Sequence, residues 1–122
     1  MPTSRTNLGT RGEELAQRFL REKGYLILET NYRCPWGEID IVAHDGNELV
    51  FVEVRTRRST RYGTPEESLT AAKARHLVAA AEEYLQQRGD NSLSWRIDLI
   101  SVRLRQDYRV ERVDHLKSVV EQ

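Results

Sequence analysis

The chain has 122 residues, and its 19 Lys and Arg residues are balanced by 19 Asp and Glu residues, which excludes a protein that coats nucleic acid through bulk positive charge. No apolar run approaches the roughly 20 residues of a membrane-spanning helix, so we expect no membrane partner. The single cysteine, Cys34, excludes an intramolecular disulfide, and the N-terminus lacks the apolar stretch of a signal peptide. The expected protein is therefore a single cytoplasmic domain over residues 1–122.

The first part of the chain predicts a helix followed by a strand. Residues 1–7 are polar, and we expect them to be loose. From about Leu8 to Lys23, apolar side chains recur at the four-residue spacing of a helix, and Gly24 suits the left-handed stop that follows. A strand is predicted over Tyr25–Tyr32, before the chain turns into the next element.

Residues 37–55 predict two strands joined by a tight turn at Gly46 and Asn47, where Gly in the first position suits a type II′ turn. Pairing outward from this turn keeps one face of the hairpin apolar, since side chains alternate between faces. The predicted pairs are Asp45 with Glu48, Ala43 with Val50, Val42 with Phe51, Ile41 with Val52, Asp40 with Glu53, Ile39 with Val54, and Glu38 with Arg55. Like charges that face each other destabilise a sheet, so Asp40 opposite Glu53 predicts a bound divalent cation.

The second half of the chain predicts one long helix and two strands. Thr70 suits the N-cap of a helix over Ala71–Arg88, which carries an apolar face. A strand over Ser94–Leu104 alternates apolar with polar side chains, a weaker strand follows over Tyr108–Asp114, and residues 116–122 form a tail. The order α-β-β-β-α-β-β predicts an α/β fold in which a mixed central sheet is flanked by helices.

The facing acids match the chemistry of phosphodiester hydrolysis. That reaction needs a nucleophilic water and relief of charge on the phosphate, and Mg²⁺ supplies both while it binds one or two carboxylates plus waters and substrate oxygens. Asp40 and Glu53 are the predicted ligands. A third acid from the first helix can lean into the site, and helical periodicity leaves both Glu13 and Glu14 as candidates. Arg55 lies on the face of Glu53, one strand repeat away.

Several short motifs occur along the chain in a particular order. They are Gly12-Glu13, Gly24-Tyr25, Asn31-Tyr32-Arg33, Gly37-Glu38-Ile39-Asp40, Phe51-Val52-Glu53-Val54-Arg55-Thr56-Arg57, Gly63, Ser68-Leu69-Thr70, Lys73 and Arg96-Ile97-Asp98. Through these motifs, residues 7–102 resemble the PD-(D/E)xK nuclease superfamily. Within it they most resemble the small bacterial proteins of the YraN family, which are similar to archaeal Holliday-junction resolvases.

The resemblance implies a restriction-endonuclease-like fold and a metal site at Asp40 and Glu53 that holds Mg²⁺ or Mn²⁺. It implies Glu13, rather than its neighbour, as the acid of the first helix. It also implies a nucleic-acid substrate, with DNA expected before RNA. A homodimer is a further expectation, since resolvases act on junctions that have two scissile strands.

One position departs from the pattern of that superfamily, whose active enzymes usually carry Lys where this chain has Arg55. Arginine stays charged and cannot act as a base, but it can stabilise negative charge or hold a phosphate in a bidentate grip. Metal-bound hydroxide would then be the nucleophile without a side-chain base. Alternatively, Lys73 on the long helix supplies the amine from another element.

Basic residues cluster after the second strand of the hairpin. We expect Arg57, Arg58, Arg61 and Tyr62, together with Lys73, to bind nucleic acid, because arginines beside an aromatic ring suit phosphate contact and base stacking. A loop that only improves solubility is the competing interpretation.

Three functions stay open from the sequence. The first is a metal-dependent nuclease that acts on DNA, with branched or damaged DNA as candidate substrates, in which Glu13, Asp40, Glu53 and Arg55 are catalytic. The second is a non-catalytic nucleic-acid-binding module, with Arg55 marking a degenerate site. The third is a protein-interaction domain whose acidic face is incidental.

Overall fold

The computed structural model describes residues 4–58, 68–88 and 94–120, and within them the chain forms two helices and five strands. In chain order they are α1 (Ser4–Glu22), β1 (Leu26–Cys34), β2 (Gly37–Asp45), β3 (Glu48–Arg57), α2 (Ala71–Arg88), β4 (Ser94–Leu104) and β5 (Val110–Leu116). The predicted element order is therefore confirmed. Neither of these described helices is long and apolar enough to cross a membrane.

The strands form one mixed sheet in the order β1-β2-β3-β4-β5. β3 and β4 are parallel, and the other neighbours are antiparallel. Parallel neighbours need a crossover connection, and α2 lies in the segment that connects them. Consecutive residues of β3 belong to different core clusters: Phe51 packs with Leu77 of α2, whereas Val50 packs with Leu20 of α1. The helices thus cover opposite faces, which confirms the predicted architecture.

Two boundaries in the first part of the chain differ from the predicted ones by more than one residue. α1 begins at Ser4 rather than near Leu8, because residues 4–7 include no Gly or Pro that would stop a helix. The expectation of a loose N-terminus is therefore wrong from Ser4 onward, and residues 1–3 lie outside the described residues. β1 continues past Tyr32 to Cys34, since its last residues pair with the start of β2.

The last strand and the tail also differ from the sequence-based boundaries. β5 begins at Val110 rather than Tyr108, because Tyr108 has a φ of 66° and belongs to the turn before the strand. β5 then continues past Asp114 to Leu116. The described part of the tail returns to the sheet, where the Val119 N–H donates to the carbonyl oxygen of Ile97 at 2.9 Å.

The predicted register of the β2–β3 hairpin is confirmed next to its turn and wrong further out. Backbone pairing runs from Asp45 with Glu48 to Ile41 with Val52. The three outer pairs that the sequence predicted are absent from this ladder; they are Asp40 with Glu53, Ile39 with Val54, and Glu38 with Arg55.

β2 and β3 separate from each other beyond Ile41 and Val52, while each keeps its neighbour on the other edge. Beyond Ile41, β2 stays paired with β1, and beyond Val52, β3 stays paired with β4 as far as Arg57. The N–H of Val54 donates instead to the Asp40 carboxylate at 2.8 Å. A side chain therefore satisfies a backbone donor that the ladder leaves open.

A polar network fixes β4 on the face that α1 covers. Arg96 Nε donates to both carboxylate oxygens of Asp98, at 3.0 and 3.2 Å, and Arg96 Nη2 donates to the Tyr25 hydroxyl at 2.7 Å. His115 Nε2 lies 2.7 Å from Asp98 Oδ2. Burial alone would raise the pKa of Asp98, but the hydrogen bonds from His115 and Arg96 outweigh it and hold this pKa below its usual range. Asp98 is thus a structural anion that supports the sheet.

Candidate active site

The acid pair predicted from the hairpin converges in the structure, although its two residues are not backbone partners. Glu53 is buried, with 4% of its surface exposed, and its carboxyl group lies within hydrogen-bonding reach of Asp40. Burial and the charge of Glu53 raise the pKa of Asp40 to about 8. Asp40 reaches this place because its Oδ2 accepts the N–H of Val54 in β3. Two carboxyl groups that cannot ionise together at low cost are therefore held side by side.

The first helix contributes Glu13 and not Glu14. Glu13 is partly buried, whereas Glu14 is exposed. Burial raises the pKa of Glu13, and the charges of Glu38 and Glu53 raise it further. The choice that periodicity left open is therefore resolved by the fold, and Glu38 joins the same acidic group.

Asn31 is a member of this group that the sequence reasoning missed as a site residue. When its side-chain amide is oriented to satisfy its neighbours, the amide nitrogen donates to Glu13 Oε1 at 2.9 Å and to Glu38 Oε1 at 2.8 Å. Its backbone adopts a left-handed φ of 53°, which Asn tolerates better than most residues. Asn inside a predicted strand was the available signal, since strands are depleted in Asn.

A close contact between α1 and β3 brings Glu13 to the acid pair. A Cβ atom added to Gly12 would lie 1.7 Å from Thr56 Oγ1 and 2.8 Å from Thr56 Cβ. A larger residue at this position would therefore require α1 or Thr56 to shift. Gly12 therefore sets the distance between α1 and β3, and its neighbour Glu13 is carried into the site.

Two cations converge on one oxygen of the buried acid. Arg55 Nη2 lies 3.0 Å from Glu53 Oε2, and Lys73 Nζ lies 3.6 Å from the same atom. The predicted pairing of Arg55 with Glu38 is thus replaced by an ion pair with Glu53. Within the described residues, the buried Arg55 Nε has no hydrogen-bond acceptor, so the protein leaves one donor of this guanidinium unused.

Lys73 reaches Glu53 because of how α2 begins. The N–H of Lys73 donates to Thr70 Oγ1 at 3.1 Å, which is the N-cap contact predicted for this helix. The cap fixes the first turn, and Lys73 projects from that turn toward β3. An amine from another element thus lies beside the acid pair, as the second interpretation of Arg55 required.

The acids border a cleft whose next part is lined by arginines. A cavity of about 380 Å³ is lined by Glu13, Asp40, Val54, Arg55 and Thr56 together with Leu8 and Gly9. A neighbouring cavity of about 570 Å³ shares three of these lining residues and adds Arg57, Arg58, Ser68 and Gln106. Both volumes lie within the range of ordinary ligand sites. A ligand bound beside Asp40 in the smaller cavity would therefore extend toward the arginines that line the larger cavity.

The structure describes some, but not all, of the residues that the sequence predicted to bind nucleic acid. Arg57 and Arg58 line the larger cavity, and the Arg58 guanidinium lies 4.5 Å from the centre of the Tyr108 ring. Lys73 lies instead at the acid pair. Arg61 and Tyr62 lie outside the described residues, so their assignment stays a prediction.

The donor set at Asp40 and Glu53 suits a hard divalent cation. Carboxylate oxygens are preferred ligands of Mg²⁺, which takes one or two of them and fills its other positions with water and substrate oxygens. Within the described ranges, no group of three or more His, Cys, Asp or Glu side chains is arranged to hold a metal ion. An ion here would therefore take its carboxylate ligands from the acid pair and its other ligands from backbone carbonyl, water or substrate oxygens. Glu53 would share its charge among the ion, Arg55 and Lys73.

One family and several relatives match most of the chain. The family is described as "Uncharacterised protein family UPF0102", and its model matches residues 12–102, which include the acids and cations above. A UPF0102 protein of Moorella thermoacetica is 47% identical over 117 residues, or 96% of this chain and 98% of that protein. The corresponding values are 49% over 106 residues (87% and 88%) for Dehalococcoides mccartyi and 46% over 99 residues (81% and 84%) for Caldicellulosiruptor saccharolyticus.

Proposed function

Because the chain belongs to the uncharacterised protein family UPF0102, whose description names no activity, we propose a function from the site itself: metal-dependent hydrolysis of phosphodiester bonds in nucleic acid, with DNA preferred to RNA. The resemblance to PD-(D/E)xK nucleases supports this proposal. Branched or damaged DNA is the first substrate to test. A cytoplasmic location is also proposed, which suits a chain whose one cysteine, Cys34, is a free thiol.

The observation that carries the proposal is a buried acid pair beside an arginine-lined cleft. Burial and the charge of Glu53 raise the pKa of Asp40 to about 8, so the pair gains by binding a cation that neutralises both carboxylates. The adjoining cleft holds Arg55, Arg57 and Arg58, which suit phosphate oxygens. Cation and phosphate sites therefore adjoin, as hydrolysis of a phosphodiester requires.

Each residue of the site has a role in this mechanism. Asp40 and Glu53 would hold the divalent ion, which when bound would lower the pKa of a water and relieve the charge on the phosphate. Arg55 binds a non-bridging phosphate oxygen and stabilises the charge that develops there. Lys73 supplies, from α2, the amine that the superfamily usually carries at position 55, and it orients the attacking water. The raised pKa of Glu13 suits a carboxyl that receives a proton from that water as its oxygen bonds to phosphorus. The P–O bond to the leaving sugar oxygen breaks in the same step, and solvent water protonates that oxygen.

A second candidate is a nucleic-acid-binding module without catalysis. Arg55 favours it, because the guanidinium remains charged and cannot replace the lysine of active superfamily members as a base. In that case the acid pair and cleft would bind metal and phosphate without cleaving. Nucleic acid retained by the protein in Mg²⁺ and Mn²⁺, with no product over long incubation, would favour this candidate.

Cleavage of a labelled panel tests the proposal. Duplex, flap, four-way junction, single strand and RNA are incubated with Mg²⁺, Mn²⁺ or a chelator. We expect metal-dependent cleavage of at least one DNA substrate, a loss of at least about 100-fold in Glu53→Gln and Asp40→Asn, and a clear loss in Glu13→Gln. Glu14→Gln is the matched control, because it changes the exposed neighbour of Glu13, and it should cleave as the wild type does. Equal activity of Glu53→Gln and the wild type would contradict the assignment.

A further inference from the structure

Three arginines lie side by side across three adjacent strands. Arg57 of β3 is in register with Arg103 of β4, and Arg103 is in register with Arg112 of β5. Neighbouring strands are about 4.8 Å apart, so this arginine row places three positive charges within about 10 Å along one line. Residues in direct register project from the same face of a sheet. The row is therefore one continuous feature of a single face.

The row lies on the same face of the sheet as Glu53, the acid that β3 contributes to the site. Side chains of β3 alternate between faces, so Glu53, Arg55 and Arg57 project from one side. At about 3.3 Å per residue, the row begins roughly 13 Å from the position of Glu53. The face between them carries Arg55, which is in register with Ser101. A linear polyanion bound at the acid site and extending along β3 would reach the row.

The protein itself compensates this positive charge only in part. Arg112 Nε donates to Asp114 Oδ1 at 2.8 Å, whereas Arg103 forms no ion pair with any residue that the structure describes. Like charges in direct register destabilise a sheet. An external anion would relieve that cost, and arginine is the residue best suited to bind phosphate in a bidentate geometry.

We propose that the arginine row binds the sugar–phosphate backbone of a nucleic-acid duplex at a distance from the cleaved bond. This inference rests on the proposed function, because the acid site defines where the scissile phosphate lies. Duplex DNA carries one phosphate per about 3.4 Å of each strand. The row therefore meets phosphates a few nucleotides away from the metal site. Arg103 and Arg112 are thus proposed as nucleic-acid-binding residues in addition to those predicted from the hairpin and the loop after it.

Binding of a fluorescein-labelled 30-base-pair duplex tests the row, with a chelator present so that no cleavage occurs. Arg103→Gln should weaken binding several-fold and make the dependence of log K on log salt concentration shallower by about 0.9, since one phosphate fewer is neutralised. Arg18→Gln is the matched control, since it removes the same charge from an exposed position on α1, the helix on the opposite face, and its affinity and slope should be those of the wild type.

A stability measurement separates binding from folding. Arg103→Gln removes one of three like charges in register, so its melting temperature should equal or exceed that of the wild type. Wild-type affinity and salt slope in both Arg103→Gln and the double variant Arg103→Gln/Arg112→Gln would overturn the inference alone. A wild-type protein that binds no duplex would also overturn the inference, whereas the proposed function is judged separately, by metal-dependent cleavage of the substrate panel. Duplex binding that depends on Arg103, without cleavage by the wild type, would uphold the row while refuting the nuclease.

Discussion

At the scale of single residues, the site depends on carboxyl groups held where water stabilises their charge poorly. Asp40 illustrates this, because its pKa rises from the usual 3.8 to about 8 through burial and the nearby charge of Glu53. Lys73 and Arg55 offset the charge of Glu53 from one side, and Asn31 links Glu13 with Glu38 on the other. The negative charge that these contacts leave uncompensated favours the binding of a cation at this site.

The raised pKa of Asp40 makes stability depend on pH in a defined direction. Between pH 4 and 8 the folded protein binds a proton that the unfolded chain has released, so the free energy of unfolding falls as pH rises across this window. Asp40→Asn cannot ionise, and its amide oxygen can still accept the Val54 N–H. Without metal, the variant should be more stable than the wild type at pH 8.5 by about 1 kcal/mol or more, since one pKa unit corresponds to about 1.4 kcal/mol.

Urea unfolding at pH 5 and pH 8.5, with a chelator present, measures this difference. The advantage of Asp40→Asn should shrink toward zero at pH 5, where the wild-type carboxyl is protonated. An Asp40→Asn variant less stable than the wild type at pH 8.5 would show that the fold stabilises the ionised acid, and it would refute the raised pKa of Asp40.

At the scale of elements, the geometry of the site follows from where two helices approach β3. α1 comes close at Gly12, whose added Cβ would overlap Thr56, and α2 begins at the Thr70 cap that positions Lys73. β2 contributes Asp40 at the point where its pairing with β3 has ended. With Asn31 of β1, the site side chains thus come from five different elements.

The α1–β3 contact gives a prediction about packing. Gly12→Ala should lower the free energy of unfolding by about 1–3 kcal/mol, the usual cost of overpacking, and it should reduce cleavage because Glu13 moves with the helix. Gly9→Ala is the matched control in the same helix: nothing lies within 4 Å of its added Cβ, so it should be neutral or stabilise by up to about 1 kcal/mol.

Chemical denaturation of the two variants checks this prediction, and Gly12→Ala/Thr56→Ala provides a rescue. Removal of the Thr56 hydroxyl and methyl groups should recover part of the stability that Gly12→Ala removes. If Gly12→Ala proved as stable as Gly9→Ala, the close approach of α1 to β3 would not be what positions Glu13.

At the scale of the whole molecule, the numbers of acidic and basic residues are equal, but the two kinds of charge are concentrated in different places. Acids gather around Asp40 and Glu53, whereas Arg55, Arg57, Arg58 and Arg103 lie toward the end of β3 and β4. Bulk charge excluded a protein that coats nucleic acid, but it does not exclude local binding. The arrangement favours a ligand that presents anionic groups in a line and a phosphate at the acids.

The sequence predicted the fold where local signals decide it. The Gly46–Asn47 turn fixes the nearby register of the hairpin, and the Thr70 cap and apolar periodicity define α2. The outer hairpin pairs were wrong because β2 and β3 separate beyond Ile41 and Val52, where the Asp40 side chain accepts the Val54 N–H, and alternation of apolar and polar residues does not show where two strands separate. Asn31 was overlooked as a site residue because its two carboxylate partners come from α1 and β2, and a long-range contact of this kind leaves no local pattern.

The most direct test of the central claim is a calorimetric titration of the full chain with Mn²⁺ at pH 7.5. We predict saturable binding that is abolished in Asp40→Asn and in Glu53→Gln and is retained in Glu14→Gln, because only the first two changes remove a ligand. Absence of binding by the wild type, or equal binding by Asp40→Asn, would contradict the claim that these two carboxyl groups form a cation site.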